Sequence, residues 1–506
     1  MGLLEDLKQF LNQHRRAPSG NWFTIDERDD PPLIQRFYRQ LWEQQTVDED
    51  ELAASLYGEA HDRNSNAYKK LKQRAIEELA GRILLVGPHS SSFTSEQRGI
   101  YRAYREYVVA ELLRARNFKS SAAYFHRRAL KKARQYGISS VEMLCLEALS
   151  YYAGVQLADV RLFERYEREY RVVIRNVRAE QRVASSFVRL KMLSSATPQD
   201  REAKHLKALE FVAALDKQYA VSEFGPRYAF PYFTVKIEGA MAVSDHHRIL
   251  RVADEAIAYF SQRDGRHVVP LSYFLMSKLL VYTVRRDYEN GRAVYLQCLP
   301  LVDKVLTNWH KLSELAFYFY LHTGRYAQAA RLYADFSTDN ALQRMPPRFL
   351  ERWLLFRAYL HYLSTAGVIE KGSWSDPVGK FRLQKFINSV PLHGKEKHGR
   401  NIPVFVLHVL FALQRRDFDL VDERMAAMTK YANRYLRRKE NLRSHCFVKL
   451  LLLFPHHNYR HDAIRRHGKR WLAKLSANPI ELVNQSYELE LVPYEELFHI
   501  SLASIR

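Results

Sequence analysis

Apolar residues recur at the helical period along nearly the whole chain, and that period limits what the chain can fold into. Leu33, Ile34, Phe37, Tyr38, Leu41 and Trp42 fall at i, i+1, i+4, i+5, i+8 and i+9, one face of a helix. Pro31 and Pro32 stand at its start, where missing N–H groups cost least. A second long helix is expected through Leu71, Ala75, Leu79 and Ile83, capped by Asn64 or Asn66 and ended by Gly87 and Pro88. Thr94, followed by Glu96 and Gln97, opens another that runs to about Arg116. Clean two-residue alternation is nearly absent, and one short strand is expected at Glu488–Leu491. Breakers are scarce: 19 glycines and 17 prolines in 506 residues, where ordinary usage of the two together is about 12%. An apolar share of 47% excludes wholesale disorder. The expected fold class is all-α.

The links between helices are short, often two or three residues, which makes consecutive helices antiparallel neighbours. Residues 15–31 form a polar loop, and residues 87–94 separate an N-terminal helical segment (1–90) from a helical array (94–365). Residues 221–235, with Gly225, Pro226 and Pro231, are a candidate break in that array. Residues 366–402, rich in Gly and Pro, are expected as a loop or hinge. Residues 403–506 then form C-terminal helical hairpins that contain a basic segment, 434–474.

A degenerate repeat runs through these hairpins. Phe118, Ser121 and Phe125 are spaced three then four residues apart. The same spacing recurs in Tyr288, Gly291 and Tyr295, in Tyr326, Ala329 and Tyr333, and in Phe418, Val421 and Met425. Arg116, Arg286, Gly324 and Arg416 stand two residues before the leading aromatics. In a helical hairpin the aromatic opens the second helix under the turn, the small residue lets the helices approach, and the large one fills the next layer. Any α-hairpin core, or a bundle sharing the spacing, would use the same residues. Leu315–Tyr333 resembles a tetratricopeptide repeat (TPR), with Tyr320, Gly324, Tyr326, Ala329 and Tyr333 at that family's characteristic positions. Phe317, Ser313 and Ala341 stand where the family has glycine, tryptophan and proline. The resemblance implies a TPR-like α-solenoid of antiparallel helical hairpins, a scaffold that binds peptides or proteins. It implies no substrate and no catalytic residue.

The chain carries 78 Lys and Arg against 56 Asp and Glu, a formal charge of +22. Twelve cations lie between Arg434 and Lys474, among them Arg437, Arg438, Arg443, Arg465, Arg466, Lys469 and Arg470, opposed by Glu440 and Asp462 alone. Arg161, Arg165, Arg168, Arg171, Arg175, Arg178 and Arg182 form a stripe along one helix face, opposite Leu162, Tyr166, Tyr170, Val173 and Val177. Glu164 and Glu167 are spaced to pair with Arg168 and Arg171, which leaves Arg175, Arg178 and Arg182 for an anion. Arg127, Arg128, Lys131, Lys132 and Arg134 form a third group with no local acid. Solvation of a large helical surface accounts for such clusters equally well.

No phosphate-cradling glycine loop, zinc-protease helix or nucleophile elbow is present. Nor is there a zinc finger, an RNA-recognition signature or a recognisable helix-turn-helix. His457 and His461 have metal-ligand spacing, but their cationic surroundings disfavour a dication. They are expected to add pH-tunable charge to the basic segment, with His456 and His467 near. Cys145, Cys298 and Cys446 lie too far apart for a disulfide framework or a metal motif. The N-terminal residues lack the cationic-then-apolar order of a secretory signal, and the most apolar stretches fall short of the ~20 residues needed to span a bilayer. A cytoplasmic protein without metal or cofactor is expected. The function read from these features is a non-enzymatic scaffold, adaptor or regulator. It would bind an acidic protein or peptide partner through a concave face and basic edges. RNA or DNA bound through the basic helices is the alternative, and an enzyme with an unrecognised site is the second.

Overall fold

The structure, a computed structural model, describes residues 3–5, 7–8, 32–44, 47–85, 95–193, 198–262, 267–302, 307–338, 347–369, 381, 386, 402–435, 442–482 and 490–505. The loops expected at 15–31 and 87–94, most of 366–402, and Arg437 and Arg438 lie outside the described residues. Among the described residues every regular element is a helix. Glu490 and Leu491 are not in a strand, and the rest of that expected strand falls outside. Contacts divide the chain into two compact units, Met1–Val177 and Arg178–Arg506.

The first unit has two separate cores. Helices α1 (Leu33–Glu43), α2 (Glu49–Tyr57) and α3 (Asn66–Leu85) enclose one around Phe37, Tyr38, Leu41, Leu52 and Tyr68. Pro32 stands at the first helix start, as expected, and Pro31 lies outside the described residues; at the second, Ser65 rather than Asn64 or Asn66 takes the capping place, its hydroxyl accepting the Tyr68 N–H. Helices α4 (Ser95–Ala115), α5 (Lys119–Gln135) and α6 (Ser139–Tyr151) pack in sequence order, α4 also touching α6, and with the first half of α7 (Val160–Met192) they enclose the second core. Gly99 lets α4 approach so closely that a Cβ there would sit 2.0 Å from the Tyr136 ring.

In the second unit, α8 (Pro198–Asp216), α9 (Pro226–Ala242), α10 (His246–Ser261), α11 (Val268–Arg285), α12 (Tyr288–Cys298), α13 (Thr307–His322), α14 (Tyr326–Thr338) and α15 (Pro347–Thr365) each pack on the next. The expected break at 221–235 holds only a short turn, for α9 runs straight through Pro231. Helix α11 is the one described helix long and apolar enough to cross a membrane by length and composition; it packs against α10, α12 and α13. Helices α16 (Ile402–Gln414), α17 (Phe418–Tyr435), α18 (Leu442–His456), α19 (His461–Ser476) and α20 (Tyr494–Ser504) continue the order, with α20 lying against α16, α18 and α19. Phe317, Phe356, Tyr362, Val406, Leu410 and Leu451 share one core, so the chain on both sides of 366–402 is a single packed body.

One turn recurs. Asn117, Gly137, Ser244, Arg286, Gly324 and Arg416 are left-handed, with φ between 53 and 72°. In each case the next residue donates its N–H to a carbonyl five residues back, as Asp287 does to Tyr282 at 2.9 Å and Arg325 to Tyr320 at 2.8 Å. This closes the finished helix. That same next residue begins the following helix: Asp245, Asp287 and Asp417 accept N–H bonds at 3.0–3.2 Å from Arg248, Asn290 and Leu420. The sequence repeat falls on this turn. Tyr288, Tyr326 and Phe418 are the first helical residues after it, and Gly291, Ala329 and Val421 are buried one turn later. Tyr333 and Met425 fill the next layer, and Tyr295 sits half-buried against Tyr320. Phe118 departs from the expectation. It stands at the N-cap itself and is 58% exposed, so the buried pair shifts by one residue to Ala122 and His126, with Ser121 exposed and Phe125 half-buried.

A buried ion cluster closes the C-terminal end. Arg443, at the start of α18, donates to both Glu490 oxygens at 2.6 and 2.7 Å, to Glu495 at 2.9 Å, and to the carbonyls of Leu475 and Asn478 at 2.7 Å. Glu490 also accepts the Tyr494 N–H, and Arg286 reaches Glu495 at 3.0 Å. The Glu490 carbonyl accepts from His322 Nε2 at 2.8 Å. Burial works against the charge on Arg443, but the two carboxylates outweigh it and raise its pKa.

Three substitutions test this packing. Gly324→Ala places a Cβ in open space but strains a φ of +72°, and should lower stability by about 1 kcal/mol in urea unfolding. Gly291→Leu must displace the Phe319 ring, 2.2 Å from an ideal Cβ, and should cost more, about 1–3 kcal/mol. Burial pushes the pKa of His322 down to about 4, against about 6.5 for a free imidazole. Between these values the unfolded chain binds the proton and the folded one does not, so stability falls as pH drops through that window. His322→Gln should make that loss smaller by roughly 3 kcal/mol, read from thermal midpoints across the window.

Candidate polyanion-binding surface

Helix α19 is amphipathic because its cations and its apolar residues fall on opposite arcs. Ile464, Gly468 and Leu475 are buried. A Cβ at residue 468 would come within 2.8 Å of the Phe498 ring, so the glycine lets α19 seat directly on α20. On the other arc Arg465, Arg466, Lys469, Arg470 and Lys474 are exposed, and Arg460 is exposed just ahead of the helix. Arg465 and Lys474 are separated by about 13 Å of helix axis. None of these six has an ion pair among the described residues. The one acid on the arc, Asp462, is 92% exposed and accepts from the ring of its neighbour His461. Arg470 and Lys474 lie over the half-buried Trp471 ring, 5.5 and 4.7 Å from its centroid.

The turn leading into α19 is held from α17. Tyr459 stacks on Phe418 with centroids 3.9 Å apart and donates to Asp422 at 2.7 Å. His457 stacks on His467 at 4.4 Å, not on His461. Slight burial, His467, His456 and Arg466 lower the pKa of His457. No group of three or more His, Cys, Asp or Glu suited to a metal occurs among the described residues. On α18, burial, Lys449 and Lys474 lower the pKa of His445.

The other basic groups divide differently from the expectation. Arg443 belongs to the buried cluster and is no part of a surface. Arg128 does have an acid, Glu106 on α4, at 2.8 Å, and Lys132 pairs with the same carboxylate. Arg134 binds Glu142 at 2.8 Å and Glu169 at 2.5 Å. These acids come from neighbouring helices, which local sequence does not reveal. Arg127 and Lys131 are exposed without an ion pair among the described residues. In the stripe, Arg165 pairs with Glu169 at 3.0 Å and Arg168 with Glu164 at 3.9 Å, while Arg171 takes no pair with Glu167. Arg178 is exposed, Arg175 is exposed but has contacts of its own, and Arg182 donates to Gln218. The three cysteines are buried and unpaired, and burial pushes the Cys145 and Cys298 thiols up to about 12. Trp471 is absent from the sequence-based expectation, although its place between Arg470 and Lys474 is a signal that marks it.

Arg443→Ala leaves the buried Glu490 carboxylate without its partner and should cost about 3–5 kcal/mol. Arg465→Ala, on the exposed arc, should change stability by less than about 0.5 kcal/mol. Urea unfolding of the two variants separates the structural cation from the surface one. No protein-family model, no curated protein and no solved structure matches the chain.

Proposed function

We propose that the protein is a non-enzymatic α-solenoid scaffold, TPR-like in its helix pairs, that binds an acidic macromolecule through the exposed face of α19. The observation that carries this reading is the set of cations at Arg460, Arg465, Arg466, Lys469, Arg470 and Lys474, exposed and without ion pairs among the described residues. Solvated surface lysines and arginines usually have carboxylates interspersed among them. Here a rigid helix holds several charges of one sign at fixed spacing, which creates a standing attractive field for an anion. The solenoid reading is supported by packing in sequence order, by contacts from α4 to α6 and from α11 to α13, and by the recurring two-residue turn. Buried, unreactive thiols give no support to a nucleophilic site.

Binding of RNA or DNA is the second reading. The face is mostly arginine, whose planar fork fits phosphate as well as carboxylate, and Trp471 stands among the cations. Polyglutamate, RNA and DNA should be titrated over a range of salt concentrations. The proposal expects binding to polyglutamate that weakens with salt and disappears when Arg465, Arg466, Lys469 and Arg470 are all changed to Glu. Binding to nucleic acid alone, with a log–log salt slope of several, would favour the second reading. Binding that survives the fourfold reversal would overturn both.

A further inference from the structure

The chain carries a segment of its own in a groove of the second unit. After α19, residues 478–482 adopt neither helix nor strand. Ile480 and Leu482 are 5 and 6% exposed, packed with Ala240, Ile249, Val281 and Val284 from α9, α10 and α11. Glu481, between them, is half-exposed and pairs with Arg201 at the start of α8. The Leu482 N–H donates to the hydroxyl of Ser244 at 3.3 Å, and Ser244 is the left-handed residue of the α9–α10 turn. The groove thus reads three features of an unstructured segment: an aliphatic side chain, an acid, and a second aliphatic side chain with its amide.

The bonds of the ion cluster stand on both sides of the segment and do not pass through it. Before it, the Asn478 carbonyl is held by Arg443; after it, Glu490 is held by the same guanidinium. Residues 479–482 rest on the groove through two side chains, one partly exposed ion pair and one backbone hydrogen bond. Leaving the groove breaks none of the bonds in the ion cluster.

We propose that this groove is a peptide-binding site occupied in cis, and that its ligand in trans is a segment of a partner protein carrying an acidic residue between two aliphatic ones. The cis segment competes as a ligand joined to the same chain, at a raised effective concentration. Weakening it uncovers the site. Recognition needs Arg201 for the acid and the Ala240–Ile249–Val281 surface for the aliphatic pair. This site is separate from the face of α19.

The test uses the full chain and a fluorescein-labelled hexapeptide copying Ala477–Leu482. Glu481→Arg changes a half-exposed residue and keeps the fold, which circular dichroism verifies. It should bind the peptide at least tenfold more tightly than the unaltered chain, by fluorescence anisotropy. Adding Arg201→Glu to that variant should abolish binding, and a peptide with Lys in place of Glu should not bind. Leu482→Asp should act like Glu481→Arg. If Glu481→Arg, correctly folded, shows no gain over the unaltered chain, the proposal fails and the segment is ordinary core. A folded Leu482→Asp variant that binds no peptide overturns it equally, and so does an unfolded one, which marks Leu482 as indispensable core. A concentration-dependent dimer of the unaltered chain that the peptide disperses would assign the groove to a second copy and overturn the partner. Polyglutamate binding by the same variants reports on the α19 face independently.

Discussion

The second unit depends on a turn of two residues. One residue takes the left-handed conformation and ends a helix; the next donates its N–H back to that helix and caps the following one. With both helix ends satisfied in so little chain, the second helix has no room to go anywhere but back along the first. Left-handed backbone costs an L-residue roughly 1–2 kcal/mol, yet Asn117, Ser244, Arg286 and Arg416 all adopt it. The cost is met because the turn satisfies backbone groups that water would otherwise have to reach. At Arg286 the strained residue is used a second time, since its guanidinium extends to Glu495.

Charge in this protein does two opposite jobs. Arg443 is buried and its interactions are saturated: five donor directions meet two carboxylates and two carbonyls, so nothing is left for a ligand. Its neighbours in sequence on α19 are exposed, and none has an ion pair among the described residues. The same residue type thus serves first to fix the end of α19, through the Leu475 and Asn478 carbonyls, and then to present charge from its exposed side. The helix backbone sets the spacing of those exposed charges.

The helical period disclosed the all-α class and the aromatic repeat at Tyr288, Tyr326 and Phe418. It placed the first copy one residue early, at Phe118. The reason is physical: the repeat is defined by the left-handed backbone position, and side chains follow it only loosely. Asn117 marks that position, but Arg286 and Arg416 are residues that do not ordinarily announce it. The exposed cations of α19 were legible because helix period and composition alone separate Ile464, Gly468 and Leu475 from the arginines. The paired cations of α5 were not, because Glu106, Glu142 and Glu169 come from other helices, and pairing across helices has no local signature. Arg443 was hidden for the same reason: its acids lie some fifty residues on.

Contacts between distant parts of the sequence change what kind of object the second unit is. In a simple array each hairpin touches only its neighbours, so stability is a sum of local terms and the ends fray first. Here Leu482 bonds to Ser244, Glu481 pairs with Arg201, Glu490 binds His322 and Glu495 binds Arg286. Each ties the C-terminal segment to a hairpin turn or helix start formed much earlier in the chain. Opening any of those early hairpins must therefore release the C-terminal segment, and releasing the ion cluster exposes Glu490 without its counter-charge. Local fraying becomes costly at both ends of the connection. The unit gains cooperativity that a linear stack lacks.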